Sequence, residues 1–312
     1  MGKFMAGIRQ AVKIGGNNKG LRRGNVSRPG KVRGSGSVIS RLTGALVRAF
    51  LMVLVIAIPS LMLPGVSSDT VQIVALVAFF AGALTFFEYA SVYPGLVEFR
   101  DAPPFNRVRF VSLMATVTLL SVVVLARYET TTLTRFVDVL GSAMAHSIDV
   151  PYSPVRLLVL MLPVDPCAAH IEIVRTAAGI AYMISLISLA YFVLILRTLG
   201  WPYASGGFNV WVNLPTFDPT AGGDVVERLR RDGWFNIALG FLLPFIIPAV
   251  LKAISTSFTP VTLENPHTMI WMVTAWAFLP ASLFMRGIAM GRVAAMIEQK
   301  RRANHAADFI PA

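Results

Sequence analysis

The way six apolar segments sort the basic residues is what most constrains this chain. Segments long enough to cross a bilayer run over 46–63, 71–93, 110–126, 177–196, 235–251 and 269–286. With the amino terminus placed inside, eleven Lys and Arg fall in the N-terminal tail, three in the second loop, four in the fourth loop and five in the C-terminal tail. Thus 23 of the 28 share one side, and only Arg127, Arg135, Arg156, Arg175 and Lys252 lie on the other. This bias predicts that both termini are cytoplasmic.

A chain that is 55% apolar and 14% charged has the balance of an integral membrane protein. An 18-residue helix is about 27 Å long, close to the hydrocarbon thickness. Backbone polar groups in lipid must be satisfied internally, which leaves helices or a closed barrel, and runs this continuously apolar exclude a barrel. The expected fold is therefore all-α, a polytopic bundle of about six transmembrane helices with an interfacial helix on its outer face. The expected organisation is a basic flexible cytoplasmic tail over 1–45, a transmembrane domain over 46–286, and a cytoplasmic C-terminal helix and tail over 287–312. Within the middle region, 127–176 is expected as an outer-face interfacial or re-entrant segment and 198–234 as a cytoplasmic loop.

The formal charge of +12 is chiefly a property of the tail, since no Asp or Glu precedes Asp69. Such a tail favours topogenic retention and attraction to the anionic headgroups of membrane lipids. Nucleic acid is disfavoured as a partner, because the tail interleaves no aromatic residues with its bases. Residues 2–14 outline a basic amphipathic helix, with Phe4, Met5, Ile8 and Val12 opposite Lys3, Arg9 and Lys13, and 15–37 reads as a Gly/Asn/Pro-rich linker. The expected location is the bacterial inner (plasma) membrane. The mitochondrial inner membrane is the alternative, because a presequence shares this acid-poor composition.

Between the third and fourth spans, Leu133, Phe136, Val137, Leu140, Met144 and Ile148 recur at helical spacing, as in a helix that lies in the interface. The ten apolar residues 155–164, bracketed by Pro151, Pro154, Pro163 and Pro166, are too few to cross. In the fourth loop, 208–214 alternates apolar and polar residues, as an extended strip would, and Trp201, Trp211 and Trp234 are expected near headgroups. Asp224 and Glu227 have the spacing of a capping box for a short helix. Gly287 and Gly291 form a GxxxG pattern that permits close helix contact.

Glu88 is the only acid well inside a segment, and Arg48 and Arg109 are expected at similar depth, so an intramembrane ion pair is the first expectation and a proton or cation relay the second. On the outer face, His146, Cys167, His170 and His267, together with nearby acids, are candidate metal ligands; their scattered spacing equally suits capping and solvation. Pro59, Pro244, Pro248 and Pro280 interrupt spans, either as kinks or as the frame of a solute site. No phosphate loop, nucleophile elbow, haem-attachment motif or zinc-protease helix is present, and the sequence names no cofactor and no catalytic set. The leading expectation is a multi-pass accessory, scaffold or assembly partner of a membrane complex, with a membrane-protein partner. A small-solute transporter or channel and a membrane enzyme with an outer-face metal are the alternatives.

Overall fold

A computed structural model describes residues 36–93, 95–101, 103–162, 167–202, 213–218, 222–257 and 263–308. The amphipathic segment 2–14, the linker through residue 35, the strip 208–212 with Trp211, and Pro94, Pro163, Asp165 and Pro166 lie outside them. Residues 1–38 form one unit, of which only the first turn of a helix is described, and 39–312 form the compact body.

The described residues are all-α and contain no strand. Eight helices follow one another: α1 Gly36–Met62, α2 Ser68–Ala90, α3 Phe105–Leu125, α4 Thr132–Ile148, α5 Pro154–Leu160, α6 Ala168–Thr198, α7 Val225–Ser257 and α8 Pro266–Asp308. Six of them, all but α4 and α5, are long and apolar enough to cross a membrane, which makes this a multi-pass membrane protein. The two ends of the body are distinguished below as the basic end, with residues 95–101 and 213–218, and the opposite end, with residues 63–67 and 126–131.

Local chemistry sets the helix ends. Ser67 accepts from the Thr70 amide at the start of α2, Thr131 and Thr134 form a reciprocal capping box on α4, and Ser153 caps α5 with Pro154 in its first turn. Gly200, at φ +60°, follows the end of α6 and turns the chain back. The Asp224 carboxylate accepts the amides of Val226 and Glu227, but the helix it begins is one continuous element through Ser257 rather than a short helix followed by a separate span.

Helices α7 and α8 form an antiparallel pair that carries the closest packing. A β-carbon on Gly240 would sit 2.6 Å from the Pro280 carbonyl, and one on Gly287 would sit 2.7 Å from the Ile237 side chain. Gly287 packs on Gly233 of α7, and a β-carbon on Gly233 would also lie 3.5 Å from the Gly291 nitrogen; one on Gly291 would itself meet nothing within 4 Å, so of the GxxxG pair only Gly287 requires a glycine for this contact. Pro248 lacks an N–H and leaves the Pro244 carbonyl without its helical donor; Trp276 Nε1 supplies one at 3.0 Å. The carbonyl freed by that proline is thus satisfied.

Helix α4 meets α6 through small residues. Its buried stripe is Thr134, Val137, Gly141 and Ala145, while Leu133, Phe136 and Val139 are exposed. A β-carbon on Gly179 would sit 2.5 Å from that of Ala145, so the backbones approach as closely as the side chains allow. The apolar face read from the sequence is therefore divided, because small residues rather than large ones bring two helix backbones together in a bilayer.

Two clusters fill the interior. One, toward the opposite end, joins Val117, Leu120, Val155, Ala177, Ile270 and Val273. The other, at the basic end, is aromatic: the Phe99 ring lies 4.6 Å from Phe105 at a tilt of 51° and 6.0 Å from Trp201, and Phe105 lies 5.8 Å from Phe192. Trp201 is 2% exposed, not placed in an outer aromatic belt, because the turn after α6 folds it onto Phe99. Trp234, by contrast, is exposed.

Candidate functional site

The site at the basic end is built on the loop between α2 and α3. A helix leaves its last carbonyls without donors, and Arg100 supplies them at the end of α2 by donating to the carbonyls of Glu88, Ser91 and Val92 at 2.9, 2.8 and 3.3 Å. The Glu88 carboxylate accepts the amides of Gly95, Leu96 and Val97 at 3.0–3.2 Å. The two residues clasp the loop onto the helix that precedes it.

This replaces the ion pair expected from sequence. Glu88 bonds neither Arg48 nor Arg109, because three backbone donors seven to nine residues ahead reach it first. Arg48 instead lies over the Tyr89 ring at 4.7 Å and donates to the Gly44 carbonyl at 2.7 Å. Arg109 lies over the rings of Phe105 and Phe278 at 5.0 and 5.9 Å, and its Nε is buried with no hydrogen-bond partner.

The buried ion pair belongs instead to Glu98, a loop carboxylate outside the apolar segments. Its carboxylate accepts Arg286 Nε at 2.5 Å, Arg286 Nη2 at 2.8 Å and the Thr216 hydroxyl at 2.6 Å, and Arg286 also donates to Asn236 at 2.9 Å. The loop, α8, α7 and the 213–218 segment are thereby tied to one carboxylate. Asn213 reinforces the joint by accepting the Asp101 amide on its side chain and the Phe99 amide on its carbonyl. Burial pushes the Glu98 carboxyl up, but the Arg286 and Thr216 hydrogen bonds and the charges of Arg286 and Arg109 outweigh it and hold the group below its ordinary range. Glu98 stands as an anion at neutral pH.

Around this joint opens a cleft of about 1510 Å³ between α1 and α2 on one side and α3 and α8 on the other. Five arginines line it, Arg48, Arg100, Arg107, Arg109 and Arg286, against the two carboxylates of Glu98 and Asp101. The rest of the wall is largely apolar, including Val47, Leu51, Phe110, Val111, Phe278 and Leu283. Both carboxylates are already engaged, Glu98 by Arg286 and Asp101 by Arg100 at 3.2 Å. The cleft therefore offers cationic donors beside an apolar wall, which is an arrangement for holding an anion rather than for moving a proton.

The chain has no match. No family model fits it, and neither a curated protein nor a solved structure is significantly similar to it.

The candidate metal ligands are distributed over several elements at the opposite end. His146 meets the Ser142 carbonyl at 2.9 Å and Glu172 at 3.7 Å; Cys167 is exposed at the start of α6, and His170 lies in that helix's first turn. His267 lies in the first turn of α8, in a pocket shared with Thr70, Ile73 and Val74 of α2, and both its ring nitrogens are buried without a hydrogen-bond partner. Among the described residues no three His, Cys, Asp or Glu side chains converge on one ion position. The nearby acids are instead bridged by arginine: Asp149 accepts from Arg156 at 3.3 Å and Arg175 at 2.8 Å, and Arg175 also reaches Glu172 at 2.5 Å. Lys252 at this end donates to the Leu162 carbonyl at 3.1 Å, just beyond α5.

Proposed function

We propose that this protein is an accessory, scaffold or assembly partner of a complex in the bacterial inner (plasma) membrane, with both termini cytoplasmic as the sorting of basic residues favours. The observation that carries the reading is a seam on α2. Ile73, Val77, Phe80, Leu84 and Phe87 follow one another at spacings of four, three, four and three residues, and all are at least 51% exposed. That is the repeat by which one helix packs its side chains between those of another. The other side of α2 already uses Ala78 and Gly82, with Gly82 against Val53 and Ala49 of α1. Only 11% of the apolar window of α2 is buried, against 50% for α3 and for α8, so α2 is the least covered of the six spans.

The partner that fits is a transmembrane helix of another membrane protein, held by side-chain packing. Photo-crosslinking groups placed singly along α2 in native membranes should capture that protein at 73, 77, 80, 84 and 87 and not at the intervening positions. Capture with no periodicity, or of lipid alone at all of them, would refute the reading. A small-solute transporter is the second reading, favoured by the cleft at one end of the body; counter-ion-dependent flux in liposomes is its test.

A further inference from the structure

We infer that the arginine-lined cleft between α1, α2, α3 and α8 is a binding site for an anionic phospholipid, held by its phosphate at Arg48, Arg107 and Arg109 with its acyl chains along the apolar wall. The inference rests on the cleft and is independent of the seam on α2.

Charge accounting comes first. Of the five arginines, Arg100 and Arg286 pair directly with Asp101 and Glu98, while Arg48, Arg107 and Arg109 have no carboxylate within ion-pair distance among the described residues, although the Arg109 charge still acts on Glu98. Arg109 is the most demanding, because a guanidinium with a buried and unsatisfied Nε has lost water without gaining an acceptor. Its position over the rings of Phe105 and Phe278 holds the planar group but gives its Nε–H no acceptor. An arginine fork matches phosphate oxygens in both charge and shape.

Depth comes second. Arg109 is four residues into α3, about 6 Å along its axis, and Arg286 is twenty residues into α8, about 30 Å from its start and so one hydrocarbon thickness away. Both therefore sit where headgroups meet acyl chains. The wall carries exposed apolar side chains, among them Val47 and Val111, beside the cations. A soluble anion would leave that wall uncovered, whereas a phospholipid brings both halves of the complement in one molecule. The chain's own N-terminal tail does not suit the site, since it is basic and free of Asp and Glu.

The test uses full-length protein, delipidated in detergent and then given phosphatidylglycerol or phosphatidylcholine, with bound lipid counted by native mass spectrometry and stability read by thermal unfolding. Phosphatidylglycerol should be retained and should raise the midpoint, and phosphatidylcholine should do neither. Arg107→Gln, at an exposed position where folding is not at risk, should weaken retention about tenfold, as should Arg109→Gln. Arg231→Gln, exposed outside the cleft lining, should leave it unchanged. Equal retention of both lipids would overturn the inference, as would an Arg231→Gln effect equal to that of Arg107→Gln. So would protection by millimolar inorganic phosphate equal to that by phosphatidylglycerol, which would make this a site for a soluble anion.

Discussion

Replacing Glu98 by Gln removes one charge from the joint at the basic end and keeps the side chain's size. The Glu98 and Arg286 side chains are 11% and 27% exposed, so the arginine left behind has little water to turn to. Removing one partner of a buried pair costs roughly 3–5 kcal/mol. The Gln carbonyl can still accept from Thr216 and from one arm of Arg286, which places the expected loss near the lower bound. At about 2–4 °C per kcal/mol, the apparent midpoint of the detergent-solubilised protein should fall by roughly 6–12 °C at pH 7. Two controls isolate the cause: Glu129→Gln, exposed and remote in sequence, should change little, and Glu98→Gln with Arg286→Met should recover part of the loss because neither charge is then buried alone. The sign of the pH dependence follows from the direction of the Glu98 shift. A folded pKa below the unfolded one gives a contribution that is complete above the ordinary carboxylate value near ~4.3 and is lost as pH falls through the folded value. The gap between wild type and Glu98→Gln should therefore be full at pH 7 and close only below ~4.3. An unchanged midpoint at pH 7, or a gap that closes as pH rises, would refute the assignment of Glu98 as the buried anion of this joint.

Two further outcomes follow from packing and from charge. Gly287→Ala should destabilise by about 1–3 kcal/mol, since its β-carbon would be driven against the Gly233 backbone and would lie 3.0 Å from the Ile237 nitrogen, whereas Gly291→Ala should be near neutral with nothing within 4 Å; equal effects by thermal unfolding would contradict the α7–α8 contact. Reporters fused after Arg41, Asp101, Gly222 and Gln299 should read cytoplasm, and those near Ser67, Ser147 and Asn265 should read the other side; a cytoplasmic signal near Ser147 would undo the six-span orientation.

The six long apolar helices and the all-α class were legible in the sequence because the conditions that impose them act along the chain. A segment either has the length and hydropathy to cross hydrocarbon with its backbone bonded to itself or it does not, and no other segment needs to be known. The continuation of α8 past 286 was legible in its apolar periodicity, but the start of α6 was not: it begins nine residues before the apolar segment at 177, since a charged residue such as Arg175 is no obstacle to a helix outside the hydrocarbon. Partnerships were the least legible. Glu88 and Arg109 lie at similar depth, but the carboxylate turned to amides in its own loop, and the buried pair formed between Glu98 and Arg286, 188 residues apart. Depth is a one-dimensional quantity that the sequence carries, whereas which cation meets which anion depends on how loops cross the bundle end and which donors arrive first. The cleft has the same origin: Arg48, Arg109 and Arg286 stand on three different helices, and only the packing of those helices brings three cations to one apolar wall.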